Sequence, residues 1–266
     1  MLSAPTQKRE RILLYGEAGS GKSSAWVSIA NWIVKSKSDA KIYLFDSDYS
    51  YEAMYDESFD SVVEVVNVDV NEFELWAKKL REVRPKLKRD DWLVVDMIDK
   101  AWTGAQNWYW RSVGGGDSIG EVYLRARTEP GFDVGGAYGA NWGDINRLYD
   151  DFMSLFINAP CHKLACTPAR QVMVNPQSGL AINKNDVEWV RYQYKPVGQN
   201  RLSHGFHTIL LAREIPSTKG SEYNLTTVKE RGPVGKTRRS ELRGEKVPEG
   251  NGFVGTYLVK VAGWKL

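Results

Sequence analysis

Gly16-Glu17-Ala18-Gly19-Ser20-Gly21-Lys22-Ser23 satisfies the pattern G-x-x-x-x-G-K-[ST] at every fixed position. The apolar run 11–15 precedes it, and residues 23–35 follow with Trp26, Ile29, Ala30 and Ile33 at helical spacing. Strand, glycine turn and helix in that order are what a phosphate-holding loop requires. The glycines let backbone N–H groups curl around phosphate oxygens, and the helix turns its positive end to the same oxygens. Lys22 is placed to reach the β and γ phosphates of a nucleoside triphosphate, Ser23 to ligate Mg2+, and Ser24 completes the binding stretch. ATP and Mg2+ are the expected ligands.

Further along, short apolar runs at 41–45, 61–68, 92–95 and 163–167 read as strands, and 71–83 and 143–158 as helices. Runs at 206–212, 223–229 and 254–261 complete the strands without helices between them. The order predicts an α/β fold, a mainly parallel central sheet flanked by helices, with antiparallel strands added at the C-terminal end. Residues 102–140 and 169–203 show no periodicity and read as long loops. The expected organisation is one domain over 1–266 with 1–10 as a flexible N-terminal segment.

A second Mg2+ partner is expected at the end of Leu93-Val94-Val95-Asp96, where Asp96 would hold the metal through a water. Met97 follows, so the carboxylate that orients an attacking water must come from elsewhere. The run 41–45 ends in Asp46-Ser47-Asp48, with Glu52 one turn on. A neighbouring parallel strand ends at the same carboxyl edge, which makes Asp48 the candidate base.

With 266 residues, 42% of them hydrophobic, the chain can bury a sizeable core, and a net charge of +3 does not by itself indicate nucleic acid. No apolar run approaches the roughly 18 residues that span a membrane. Residues 1–11 are polar and basic, unlike a secretory signal. Cys161 and Cys166 are the two cysteines, and a reduced, cytoplasmic setting is expected. Neither Cys161-His162 with Cys166 nor His204 with His207 has zinc spacing.

Lys229-Glu230-Arg231 ends the run 223–229 and leads into Gly232-Pro233-Val234-Gly235. Extended spacing points Lys229 and Arg231 to one side. Such a pair suits a γ-phosphate; the alternative is a basic hairpin tip, since Lys236, Arg238 and Arg239 follow.

With these motifs the sequence resembles the RecA family of ATPases, the group of RecA, RadA and the DnaB-type helicases. The DnaB-type pattern K-x-R-x-G-P-x-G recurs at Lys229 to Gly235 with one residue fewer between Arg and Gly. The resemblance implies a RecA-like core, a homo-oligomer (ring or filament) with ATP at subunit interfaces, and Lys229 and Arg231 acting in trans. It also places the catalytic carboxylate after the second strand, where Asp48 stands in place of the usual Glu. Recombinases of this family carry a longer N-terminal docking segment than residues 1–10 offer. The size and the stretch 195–206 are most similar to phage-encoded RecA-like recombination and annealing ATPases, which would place the chain in the host cytoplasm.

In that family the DNA path is lined by the segments after the acid-bearing strand and after the next strand. Those are 102–140 and 169–203 here. The first holds Trp108, Trp110 and Arg111, the second Arg170, Lys184 and Arg191. Aromatics among arginines suit base stacking, and the cations suit phosphates, so single-stranded DNA is the expected partner. The alternative for the aromatics is a lid or subunit interface. Three other activities share the same features: a helicase or translocase, a P-loop kinase of a small molecule, and a nucleotide-switched binding module.

Overall fold

The computed structural model of the chain describes residues 9–114, 119–130, 140–218, 220–230, 242–247 and 252–264. Strand β1 (Arg11–Gly16) leads into helix α1 (Ser24–Ser36), followed by β2 (Ile42–Asp46), the short α2 (Ser50–Ala53), β3 (Val63–Asn67), α3 (Phe73–Val83) and β4 (Trp92–Asp96). Helices α4 (Ile98–Tyr109), α5 (Ile119–Thr128) and α6 (Ala140–Ile157) come next. Then follow β5 (His162–Gln171), β6 (Tyr194–Pro196), β7 (Thr208–Ser217), β8 (Gly220–Glu230) and β9 (Arg243–Lys246). The main sheet runs β3-β2-β4-β5-β1-β7-β8-β9, and β6 pairs with β5. Strands β3 to β7 along this order are parallel, while β8 and β9 are antiparallel additions, as the run order predicts.

Alternation within single strands builds both core layers. In β1, Leu13 and Tyr15 face a layer with α3, α4 and α6, whereas Ile12 and Leu14 face α1 and the C-terminal segment. On α1, Trp26, Ile29, Ala30 and Ile33 are fully buried, the stripe read from spacing. Each large side chain of that stripe contributes about 1.5–3 kcal/mol by leaving water. At the start of β5 His162 stacks on Trp92 and lies tilted against Trp264, each ring centroid 4.9 Å away, and its Nδ1 accepts from Glu10 N at 3.0 Å.

Three expectations change. Residues 102–140 are not a loop in their described part, because α4 buries Ile98, Ala101, Ala105 and Tyr109 at helical spacing. Residues 169–203 likewise contain the end of β5, a helical stretch Lys184–Tyr192, β6 and the turn Leu202–Gly205. Residues 254–261 are not a strand: Val254–Val259 form a helical turn that buries Val254, Tyr257 and Leu258 beside α1, where Val254 N donates to Ser28 Oγ at 3.1 Å. Among the described residues no helix is long and apolar enough to cross a membrane.

Candidate nucleotide site

The loop Gly16–Ser23 leaves β1 at the centre of the sheet, between β5 and β7. Gly19 and Gly21 take φ of +76° and +80°, left-handed values that a residue with a Cβ rarely adopts. A Cβ on Gly19 would lie 3.1 Å from Glu214 Oε2, and one on Gly21 would be in ordinary contact with Tyr223 Cδ1 at 3.4 Å. Ser23 is the N-cap residue of α1 without a side-chain cap bond, and Ala25 N and Trp26 N donate to Lys22 O and Ser23 O at 3.0 and 3.2 Å.

Lys22 is buried and folded back, its Nζ donating to Gly16 O at 3.1 Å and to Glu17 O at 2.7 Å. Burial lowers its pKa, while the Cys166 thiol and the carboxylates of Asp96, Asp48 and Asp99 act in the opposite sense.

Asp96 is fully buried, and neither carboxylate oxygen makes a hydrogen bond. Burial raises its pKa. The hydroxyls of Ser23 and Ser50 and the Trp26 indole lie near enough to favour its charge, without hydrogen-bond geometry. An orphaned buried carboxylate beside a serine hydroxyl at a phosphate loop fits a hard divalent cation or its bound water. Ser23 and Asp96 could therefore hold Mg2+.

The β2 end is not the immediate neighbour of β1, as the carboxyl-edge reading implied; β4 and β5 lie between them. A local network carries Asp48 across. Asp46 accepts from Asp48 N (3.2 Å), Ser50 N (3.1 Å) and Tyr51 N (2.9 Å), which shapes the turn after β2. Ser47 N donates to Asp96 O at 2.7 Å and Ser47 Oγ accepts from Met97 N at 2.9 Å, locking that turn to the end of β4. Asp48 is exposed and lines the same cavity as the loop, a space of about 680 Å³. Glu52 is exposed on α2 and does not line that cavity.

Reading the sequence missed Asp99. It sits in the first turn of α4, and burial pushes its carboxyl up to about 6. Charge on Asp48 acts in the same direction, and Asp99 Oδ1 has no hydrogen-bond partner. The signal available was its place three residues after Asp96, which only the assignment of α4 as a helix starting at Ile98 makes meaningful.

Lys229 does not line the loop cavity. It borders a second cavity of about 780 Å³ with Trp189, Tyr192 and Ser203, and its Nζ donates to Ser203 O at 2.8 Å. Arg231 lies outside the described residues. The DNA candidates divide. Trp110, at the start of the helical turn after α4, is buried in the core at 1% exposure, and Trp108, still on α4, packs half-buried against that core. Arg111 donates to Asn71 O. Arg170, Lys184 and Arg191 are exposed, and Arg191 lies over the Tyr192 ring, 4.5 Å from its centroid.

Strand, glycine loop, helix and buried strand-end acid define a P-loop nucleotide-binding domain. Residues 8–239 match the AAA domain family, and the chain belongs to that family of P-loop ATPases. No curated protein matches it in sequence. Among solved structures it is similar to a KaiC-like protein from the hyperthermophilic archaeon Pyrococcus horikoshii OT3. The two are 11% identical, the match covers 91% of this chain and 86% of that chain, and the TM-score is 0.46.

Proposed function

We propose that the chain is a Mg2+-dependent ATPase that works as a homo-oligomer on single-stranded DNA. The observation that carries the nucleotide part is the buried, unpartnered Asp96 carboxylate beside Ser23 at the mouth of the loop. Ser23 and Asp96 would hold Mg2+, which would supply charge neutralisation at the phosphates. The chain's own groups do the rest. Loop N–H groups cradle the phosphates, and Lys22 leaves Gly16 O and Glu17 O to reach them. Asp48, lining the same cavity, orients water as the base.

In this reading Lys229 and Arg231 serve the site of a neighbouring copy; the position of Lys229 on a cavity separate from the loop supports it. The DNA part rests on the exposed Arg170, Lys184 and Arg191, and the phage recombination and annealing role on the size of the chain, the stretch 195–206 and the late Lys229-Glu230-Arg231. The deciding experiment is ATP hydrolysis measured over protein concentration, with and without single-stranded DNA. Turnover per chain that rises with concentration and with DNA supports the reading. Phosphoryl transfer to a small molecule without DNA stimulation, or unwinding of a tailed duplex, replaces it with a kinase or a helicase.

A further inference from the structure

The loop cavity has two chemically different ends. One is the phosphate cradle. The other is walled by Tyr223, Leu225, Val247 and Phe253, with no ionisable side chain apart from the Tyr223 phenol among these walls.

Three separate devices build the apolar end. Antiparallel pairing of β7 and β8 runs past the end of β1: Ile12 to Gly16 pair with Thr208 to Ala212, whereas Arg213 to Ser217 continue with β8 alone. The free part of this ribbon stands beside the phosphate loop. Along β8, Tyr223, Asn224 and Leu225 all line the loop cavity; Leu225 joins the α1 layer and the Tyr223 ring stands over Gly21. Second, Val247 N donates to Tyr223 O at 2.7 Å, which fixes Val247 beside that ring. Third, the C-terminal segment is pinned to α1 where Gly252 approaches Ser28 so closely that a Cβ would sit 2.9 Å from Ser28 Oγ. That contact holds Phe253 at the cavity wall.

Leu225 and Phe253 are each only 4% exposed, yet Tyr223 keeps 40% of its surface open. An aromatic ring left open at the apolar end of a phosphate site, with its neighbours closed, is a stacking surface awaiting a flat partner. We propose that Tyr223 is the platform on which the base of the bound nucleotide stacks, in a slot completed by Val247 and Phe253. The inference rests on the nucleotide reading above. It adds a residue contributed in cis by the terminal third of the chain. Stacking uses the face that every base has, so ATP and GTP depend on Tyr223 alike.

The test compares ATP, GTP and inorganic tripolyphosphate by calorimetry on the full chain with Mg2+. For wild type the expectation is tighter binding of ATP and GTP than of tripolyphosphate. Tyr223→Ala should weaken ATP and GTP about tenfold and leave tripolyphosphate unchanged, and Tyr223→Trp should restore both nucleotides. An equal loss for tripolyphosphate in Tyr223→Ala overturns the proposal, because the ring then shapes only the loop. Unchanged ATP affinity in Tyr223→Ala overturns it as well. Equal wild-type affinity for ATP and tripolyphosphate overturns the slot while sparing the phosphate site. Absence of binding by either in wild type overturns the nucleotide reading and the slot with it.

Discussion

Lys22 Nζ lies 2.7 Å from the carbonyl oxygen of Glu17, a residue of the same loop, and so occupies its own cradle. A triphosphate must replace that carbonyl and Gly16 O as acceptors. Phosphate oxygens are the stronger partners, since hydrogen bonds between charged groups contribute about 1.5–3 kcal/mol. Lys22→Ala is therefore expected to weaken ATP binding about 10- to 100-fold by calorimetry, with the fold intact by circular dichroism. Unchanged affinity would place the phosphates elsewhere.

Asp96→Asn separates metal binding from folding. The buried carboxylate has no hydrogen bond to lose, so the neutral amide should leave the ligand-free melting temperature equal or raise it. The extra stabilisation that Mg2+ adds to ATP should disappear. A melt in which the variant still responds to Mg2+ as wild type does would remove Asp96 from the metal site.

Asp48→Asn keeps size and removes the base. ATP binding should survive while turnover falls about 100-fold or more. The same assay on Glu52→Gln and Asp99→Asn identifies the acid: normal turnover in Asp48→Asn with a dead Asp99→Asn would move the role to α4, and a dead Glu52→Gln would move it to α2.

His162 makes the fold sensitive to acid. Burial, with Lys163, Arg89 and Arg9 nearby, pushes its pKa down to about 3 from the ordinary 6.5. The unfolded chain takes up a proton below about 6.5 and the folded chain does not, so its contribution is full above 6.5 and is lost as pH falls toward 3. About 2 kcal/mol should vanish between pH 7 and pH 5 through this group. Urea unfolding at the two pH values, in wild type and in His162→Gln, measures it as the difference in pH dependence. Equal pH dependence in both proteins would contradict the assignment.

Arg231→Ala should bind ATP normally and hydrolyse it poorly, because a guanidinium supplied by a neighbour contributes about 10³-fold or more. Mixed with Lys22→Ala, it should regain part of the activity, since some interfaces then pair an intact loop with an intact Arg231. Mixed oligomers without any recovery would confine Arg231 to its own subunit.

Much of this architecture is legible in the residues. Runs such as Leu93-Val94-Val95 are apolar on both faces, and only a strand covered on both sides needs that. The phosphate loop is legible because its backbone demands glycine at defined places. Other features depend on contacts distant in sequence. Residues 98–109 mix Trp, Gly, Thr and Lys, and their helix shows only once α3 and α6 pack against them. Residues 254–259 have the composition of a strand, but their backbone is held by Ser28, far away in sequence. Trp110 beside Arg111 reads as a stacking pair on paper, whereas packing decides that the indole belongs to the core. Asp99 acquires its shifted acidity from burial and from Asp48, neither of which local sequence reveals.

The β7–β8 ribbon walls two cavities. Ala212 and Tyr223 border the phosphate loop, while Ile209, Val228 and Lys229 border the second cavity. Were a ligand in one cavity to shift the ribbon against the other, linkage would make the effect mutual: a tenfold gain for the second ligand would return a tenfold gain for the first. The two compartments thus share one partition, a single two-stranded ribbon with a different chemical lining on each side.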